Sequence, residues 1–142
     1  MDIPKEILIE ILEYFSVQEL IKLELVNKQF LKIIRSNEWP NLTIKFSKIN
    51  LKLIKNHSFI NFDLSASNIT DKQLRYLSNS KNLNLLFCKI TDKGLKYLNS
   101  KNLNLSFCKI TDKGLKYLSN SKNLNLSYTE ITDKGLQYLS NS

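Results

Sequence analysis

The sequence predicts an α/β chain in which a helical head precedes a short solenoid of parallel strands and short helices. Three observations predict it. The segment CKITDKGLKYL occurs at 88–98 and again, unchanged, at 108–118. The residues before each copy alternate between apolar and polar, as in a strand with one buried face. Residues 1–40 instead carry apolar residues at helical spacing.

The repeat divides residues 41–142 into five rows of 20 or 21 residues: 41–60, 61–81, 82–101, 102–122 and 123–142. A fixed period of this length is typical of a solenoid, in which each row contacts only its neighbours. Each row begins with a short strand and bends, and a residue such as Thr111 is placed to cap a short helix. We expect parallel strands on the concave face and short helices on the convex face.

Three apolar positions recur down the rows and are predicted to face the interior. In the fourth row they are Leu103, Leu105 and Ile110. Glycine recurs in the helix of the last three rows, where it is expected to permit close packing. In the first two rows the alignment pairs Leu42 with Phe62 and Ile44 with Leu64.

The cysteine position is predicted to be structural. Serine or threonine replaces cysteine in three rows, and no metal-ligand set accompanies the change. A small, weakly polar side chain at a tight bend suits hydrogen bonding to neighbouring backbone. The position is occupied by Ser47, Ser67, Cys88, Cys108 and Thr129.

The row LNLSFCKITDKGLKYL, at 103–118, resembles the cysteine-containing leucine-rich repeat. The resemblance covers residues 61–142 well and 41–60 weakly, because the first row replaces ITDKGL with INLKLI. These rows are shorter than the usual repeat of that family. The resemblance implies a scaffold, so the repeated block is interpreted as structural and not as an active site.

The head is predicted to form three short helices. Pro4 fits the first turn of a helix with a wide apolar stripe. Residues 16–19, Ser-Val-Gln-Glu, form a capping box that starts a second helix. A third helix is expected from about residue 27 to residue 35.

This head resembles an F-box, in the pattern IPKEIL, then VNKQF and a terminal Trp39. It departs from the family at Ile3, Phe15 and Asn27. The resemblance implies docking on a Skp-family adaptor and, through it, on a cullin-based ubiquitin ligase. By position, the implied adaptor contacts are Ile3, Pro4, Ile7, Leu8, Ile11, Leu12, Phe15 and Leu20. The alternative is that the head only caps the solenoid.

A target protein is expected to contact outward positions beside the buried strand columns. Aromatic residues anchor protein interfaces, so an amide column next to an aromatic column is a candidate target-binding surface. In the alternative, the aromatic column turns partly inward and the amides pair with one another. The candidate residues are Asn84, Phe87, Asn104, Phe107, Asn125 and Tyr128.

Catalysis is not expected. A RING-type ligase needs seven or eight Cys/His zinc ligands, whereas this chain has two Cys and one His. All three glycines occupy one repeat position, so no phosphate-binding glycine loop is present. We therefore predict no catalytic residue, metal site or cofactor.

Charge separates the head from the array. Residues 1–40 have a net charge of −2, and residues 41–142 have a net charge of +10. The lysines are also typical of an AT-rich genome. The sequence contains no apolar run of membrane-spanning length, and no signal-peptide pattern opens it. The chain is therefore expected to be intracellular, in the cytoplasm or nucleus, with no membrane partner.

The sequence thus predicts a substrate-recognition adaptor of a Skp–cullin–F-box ubiquitin ligase, whose array binds an unknown target protein. Two alternatives remain open. One is a stand-alone leucine-rich-repeat interaction module with a capping head. The other is a polyanion-binding basic array, although the acidic head makes a nucleic-acid partner unfavourable.

Overall fold

The computed structural model describes residues 5–12, 16, 19–20, 22, 28–36, 39, 42–45 and 58–139. Its elements alternate strand and helix from residue 61 onward. The head contains α1 (Lys5–Leu12) and α2 (Lys28–Ser36). The strands are β1 (Thr43–Lys45), β2 (Asn61–Asp63), β3 (Asn82–Asn84), β4 (Asn102–Asn104) and β5 (Asn123–Asn125). The array helices are a 3₁₀ helix (Asp71–Leu77), α3 (Asp92–Leu95), α4 (Asp112–Leu115) and α5 (Asp133–Leu136).

The five strands form one sheet in the order β1-β2-β3-β4-β5, and every neighbouring pair is parallel. From β2 to β5, consecutive strands lie side by side because a short helix returns the chain between them. The predicted solenoid of parallel strands and short helices is confirmed.

The first row pairs out of the predicted register. Ile44, and not Leu42, lies opposite Phe62. Thr43 pairs with Asn61, an offset of 18 residues, whereas the later rows are offset by 20 or 21. The predicted pairing of Leu42 with Phe62 is therefore wrong. The first row lacks the ITDKGL block that fixes the later offsets, and burial selects Ile44, which is only 1% exposed.

The predicted interior columns are buried in the third and fourth rows and partly buried in the fifth, at Leu124, Leu126 and Ile131. Leu85, Leu105 and Ile110 are fully enclosed. The first three of the described array helices each add a leucine to the same core, because the apolar face of each is turned toward the sheet. These helix leucines are Leu74, Leu95 and Leu115.

The head packs into the same core as the first strands. Leu12, Ile34 and Trp39 belong to one buried cluster with Ile44 and Phe59. The indole N–H of Trp39 donates to the Ile34 carbonyl at 3.0 Å, which satisfies its one polar group. Head and array are therefore joined by a continuous hydrophobic core.

The predicted capping box is confirmed. The Ser16 backbone N–H and hydroxyl donate to Glu19 Oε2 at 2.8 and 2.7 Å. The Glu19 N–H donates back to the Ser16 hydroxyl at 3.4 Å. Residues 19, 20 and 22 are helical, as expected. Helices α1 and α2 match the first and third predicted helices, and the rest of the second lies outside the described residues.

Candidate functional site

A threonine of each later row binds an aspartate of the row before it. The Thr111 backbone N–H donates to Asp92 Oδ1 at 2.9 Å, and the Thr111 hydroxyl donates to Asp92 Oδ2 at 2.6 Å. We call this pair of bonds a Thr–Asp bridge. Thr111 occupies the predicted N-cap position, but its hydroxyl bridges the rows and does not cap its own helix. The other bridges are Thr91–Asp71 and Thr132–Asp112.

The bridge explains the glycine of each later row. A Cβ on Gly114 would lie 2.5 Å from Asp92 Oδ1 and 2.9 Å from Leu95 Cδ1. Real Cβ atoms do not approach other atoms so closely, so a side chain here would displace the carboxylate. The predicted close packing at glycine is confirmed.

In the second row a glutamine replaces the glycine and also supplies the acceptor for the threonine of its own row. Gln73 stands at the glycine position, and its Oε1 accepts from the Thr70 N–H and hydroxyl, each at 2.9 Å. In later rows the threonine N–H and hydroxyl donate to an aspartate of the preceding row. In the second row both groups donate to Gln73 of the same row. The ITDKGL block therefore joins rows and presents no reactive group.

The cysteines are also structural. The Cys88 thiol donates to the Leu64 carbonyl, and the Cys108 thiol donates to the Leu85 carbonyl, both at 3.1 Å. The predicted hydrogen bonding to neighbouring backbone is confirmed. Burial raises the pKa of Cys108 to about 11, so this thiol stays protonated at neutral pH and is a poor nucleophile.

The strand face of the array forms an open trough of about 1030 Å³ that crosses all five strands. Two amide columns line it. The strand-start amides form a ladder in which each amide N–H₂ donates to the oxygen of the preceding row. The ladder begins at the Leu42 carbonyl, which can only accept. Its members are Asn61, Asn82, Asn102 and Asn123.

This ladder was not predicted from the sequence, although the recurrence of asparagine at the start of the strand in four rows signals it. The predicted candidates were instead the strand-end amides, Asn84, Asn104 and Asn125. Of these, Asn84 donates along the column, to Asp63 Oδ1 at 2.9 Å. The alternative, in which these three amides pair with one another, is therefore not observed, because the acceptor of Asn84 is a carboxylate.

The strand-end amides also order the turn after each strand. The Ser106 backbone N–H and hydroxyl donate to Asn104 Oδ1 at 3.1 and 2.7 Å. Ser127 makes the same two bonds to Asn125 Oδ1, at 3.1 and 2.8 Å. The amide oxygens are thus held by the turns.

The aromatic column, Phe87, Phe107 and Tyr128, is exposed and stacked. Ring centroids lie 4.2 Å apart for Phe87–Phe107 and 4.3 Å apart for Phe107–Tyr128. The side chains are 56%, 42% and 78% exposed, so the alternative of an inward-turned column is wrong. All three adopt left-handed φ angles of 57–59°, a conformation that bulky residues rarely adopt.

The predicted adaptor contacts fall into four groups. Ile11, on α1, is 45% exposed and accessible. Leu12 and Leu20 are 2% and 0% exposed and pack in the chain's own core, so neither presents its side chain to a partner in this conformation. Ile7 and Leu8 lie in α1, but their side chains are outside the described set. Ile3, Pro4 and Phe15 lie outside the described residues.

The described part of the chain contains neither a metal-ligand cluster nor a membrane-spanning helix. There, no group of three His, Cys, Asp or Glu side chains is placed to hold a metal ion. None of the helices described is long and apolar enough to span a membrane. His57 lies outside these residues.

The fold and its exposed surfaces define a protein-interaction solenoid with a helical head. A family model described as F-box-like matches residues 1–45, and one described as Leucine Rich repeat matches residues 81–98, 101–119 and 122–140. The chain therefore belongs to the F-box/leucine-rich-repeat proteins. Both families are typically non-catalytic interaction modules. A search of curated proteins finds no significant match.

Proposed function

We propose that this protein is the substrate-recognition subunit of a Skp–cullin–F-box ubiquitin ligase. The head docks on a Skp-family adaptor, the adaptor joins a cullin, and the array holds the target protein. Such a ligase acts in the cytoplasm or nucleus. One observation carries the proposal: an F-box-like head leaves an apolar side chain, Ile11, exposed on its first helix.

The two faces of α1 support this role. Leu12 is buried and Ile9 packs against the core, so one side of the helix holds the head together. Ile11 lies on another side and is 45% exposed. An apolar contact with an adaptor would remove this side chain from water and contribute about 1 to 3 kcal/mol. The head can therefore bind a partner without unpacking its core.

The test is adaptor binding by an Ile11→Glu variant of the full chain, measured by calorimetry. A buried carboxylate without a partner is strongly unfavourable, so affinity is expected to fall at least about tenfold. The matched control is Leu136→Glu, which places the same charge on a leucine of α5 that is 51% exposed. Equal adaptor affinity for both variants would contradict the proposed contact.

Leu12→Glu is unsuitable for this test. Leu12 is 2% exposed in the core, so a charge there would unfold the head and abolish binding for an unrelated reason. Circular dichroism of the Ile11→Glu variant should instead match that of the unmodified chain, because the exposed site requires no repacking.

A second function, a stand-alone interaction module, is favoured by one observation. Leu12, Leu20 and Trp39 share a core with Ile44 of β1, so the head also covers the first strand. A head that only caps the solenoid needs to cover the first strand and requires no contact with an adaptor. The module would bind its target but not the adaptor, and folded protein without adaptor affinity would identify it.

A further inference from the structure

The orientation of two strand-end amides is fixed by groups that cannot accept hydrogen bonds. A backbone N–H only donates, so the group that faces Ser106 N must be the Asn104 oxygen, and the same holds for Asn125 and Ser127. Each N–H₂ group consequently points away from its turn. The flip ambiguity that affects asparagine does not arise here.

These two N–H₂ groups have no acceptor among the residues that the structure describes. Asn84, in the same column, differs because its N–H₂ group donates to Asp63. Asn104 and Asn125 are neighbours in the parallel pairing of β4 with β5. Neighbouring strands lie about 4.8 Å apart, so the β4–β5 half of the trough presents two adjacent donors.

The charges of the trough also favour a ligand that accepts hydrogen bonds and carries negative charge. Lys122 lines its β5 end, is exposed, and has no ion pair within the described part of the chain. Asp63, the acidic residue of the lining, lies two strands away from β4 and is engaged by Asn84. The β4–β5 half therefore combines donors with positive charge, and residues 41–142 carry +10 overall.

The aromatic column favours a polypeptide over a nucleic acid. Each aromatic residue of the column follows a strand-end amide by three residues and lies in the turn after that strand. Its rings already stack on one another at 4.2 and 4.3 Å, so no base can insert between them. Exposed ring edges and the outer face of Tyr128 remain, and these suit apolar side chains of a protein.

We propose that the β4–β5 half of the trough binds an acidic, extended segment of the target protein, with Asn104, Asn125 and Lys122 contacting its carboxylates. This inference rests on the proposed role of the array as the target-binding part. A carboxylate has two oxygens and about four lone-pair sites, so one Asp or Glu side chain can accept from both amides.

The size of the trough sets the length of the segment. Five strands spaced at about 4.8 Å span about 19 Å. An extended chain covers that distance in about six residues. A ten-residue peptide is therefore long enough to cross the trough completely.

The experiment measures fluorescence anisotropy of three labelled decapeptides with the full chain, in the absence of any adaptor. The peptides alternate Ala with Glu, Gln or Lys. The Glu peptide is expected to bind at least about tenfold more tightly than the Gln peptide, and the Lys peptide not at all. Its affinity should also fall as salt is added. Equal binding of the Glu and Gln peptides would overturn the proposal.

The decisive variant is the double substitution Asn104→Asp, Asn125→Asp. An aspartate can hold the same turn, because Asp63 accepts from the Ser65 N–H at 3.3 Å in the same column. The substitution removes both donors and adds two negative charges. Affinity for the Glu peptide is expected to fall at least about tenfold.

The matched control is Asn79→Asp, Asn99→Asp, which adds the same two charges at exposed asparagines outside the trough. The affinity of this control for the Glu peptide should stay within about twofold of that of the unmodified chain. Equal losses in both double variants would show a net-charge effect only and would overturn the proposed site.

Lys122→Gln provides a second variant, which alters no side-chain hydrogen bond and should weaken binding about threefold. Tighter binding of a single-stranded oligonucleotide than of the Glu peptide would also overturn the proposal, in favour of a polyanion. Because no adaptor is present, this result and the adaptor test with Ile11→Glu can fail independently.

Discussion

At the scale of single residues, three positions in each later row depend on one another. The aspartate carboxylate accepts two bonds from the next threonine, and the next glycine leaves room for that carboxylate. Asp92, Thr111 and Gly114 are one such set. The second row, with Gln73 in place of glycine, satisfies its own threonine instead. Near-identity of the rows thus follows from contacts between rows.

Gly114→Ala is expected to destabilise the protein by about 1 to 3 kcal/mol. Alanine normally stabilises a helix relative to glycine by about 1 kcal/mol, but here the new Cβ would lie 2.5 Å from Asp92 Oδ1. Urea unfolding measures the change. In an Asp92→Ala background the penalty should shrink, because the carboxylate is gone. A variant as stable as the unmodified chain would contradict this account of the block.

Ala66→Gly is expected to stabilise the protein by about 1 kcal/mol. Ala66 is exposed and has a φ angle of 53°, a left-handed conformation that glycine adopts without strain. Asn68→Gly is the control, since Asn68 is exposed and has no positive φ. It should be neutral or destabilising. Thermal unfolding of the two variants distinguishes them. Equal changes in melting temperature would contradict the proposed backbone strain at Ala66.

At the scale of elements, each row could be predicted from sequence because its signals are local. Alternation around Leu103 and Leu105 predicts the strand, and Thr111 marks the helix start. The pairing of β1 could not be predicted, because it depends on which side chain the neighbouring row buries. The left-handed turns also gave no signal, since phenylalanine and tyrosine occupy positions that favour glycine.

The last bridge is expected to weaken in acid. Hydrogen bonds from the Thr132 backbone N–H and hydroxyl hold the pKa of Asp112 below its ordinary value. A lowered folded-state pKa means that the bridge contributes to stability above the unfolded-state pKa of about 3.9. The contribution is lost as pH falls through the folded-state pKa.

The measurement compares the unmodified chain with Asp112→Asn by urea unfolding between about pH 6 and pH 2. Asparagine retains an acceptor for the Thr132 N–H but does not titrate. The unmodified chain should therefore be the more stable of the two at neutral pH, and the difference should narrow in acid. A difference that is constant with pH would contradict the ionised bridge.

At the scale of the whole molecule, the two proposed interaction surfaces lie on one continuous core. The exposed side of α1 carries Ile11, and the strand face carries the amide trough. The sequence predicted both regions, because each resembles a family with a characteristic pattern. It could not separate Ile11 from Leu12 and Leu20, since burial of the head depends on how it packs against β1.

Calorimetric titration of a purified Skp-family adaptor into the full chain tests the central claim most directly. The account predicts one-to-one binding with a dissociation constant of about 1 μM or tighter, equivalent to about −8 kcal/mol. Folded protein that shows no binding at adaptor concentrations of tens of micromolar, about −6 kcal/mol, would contradict it.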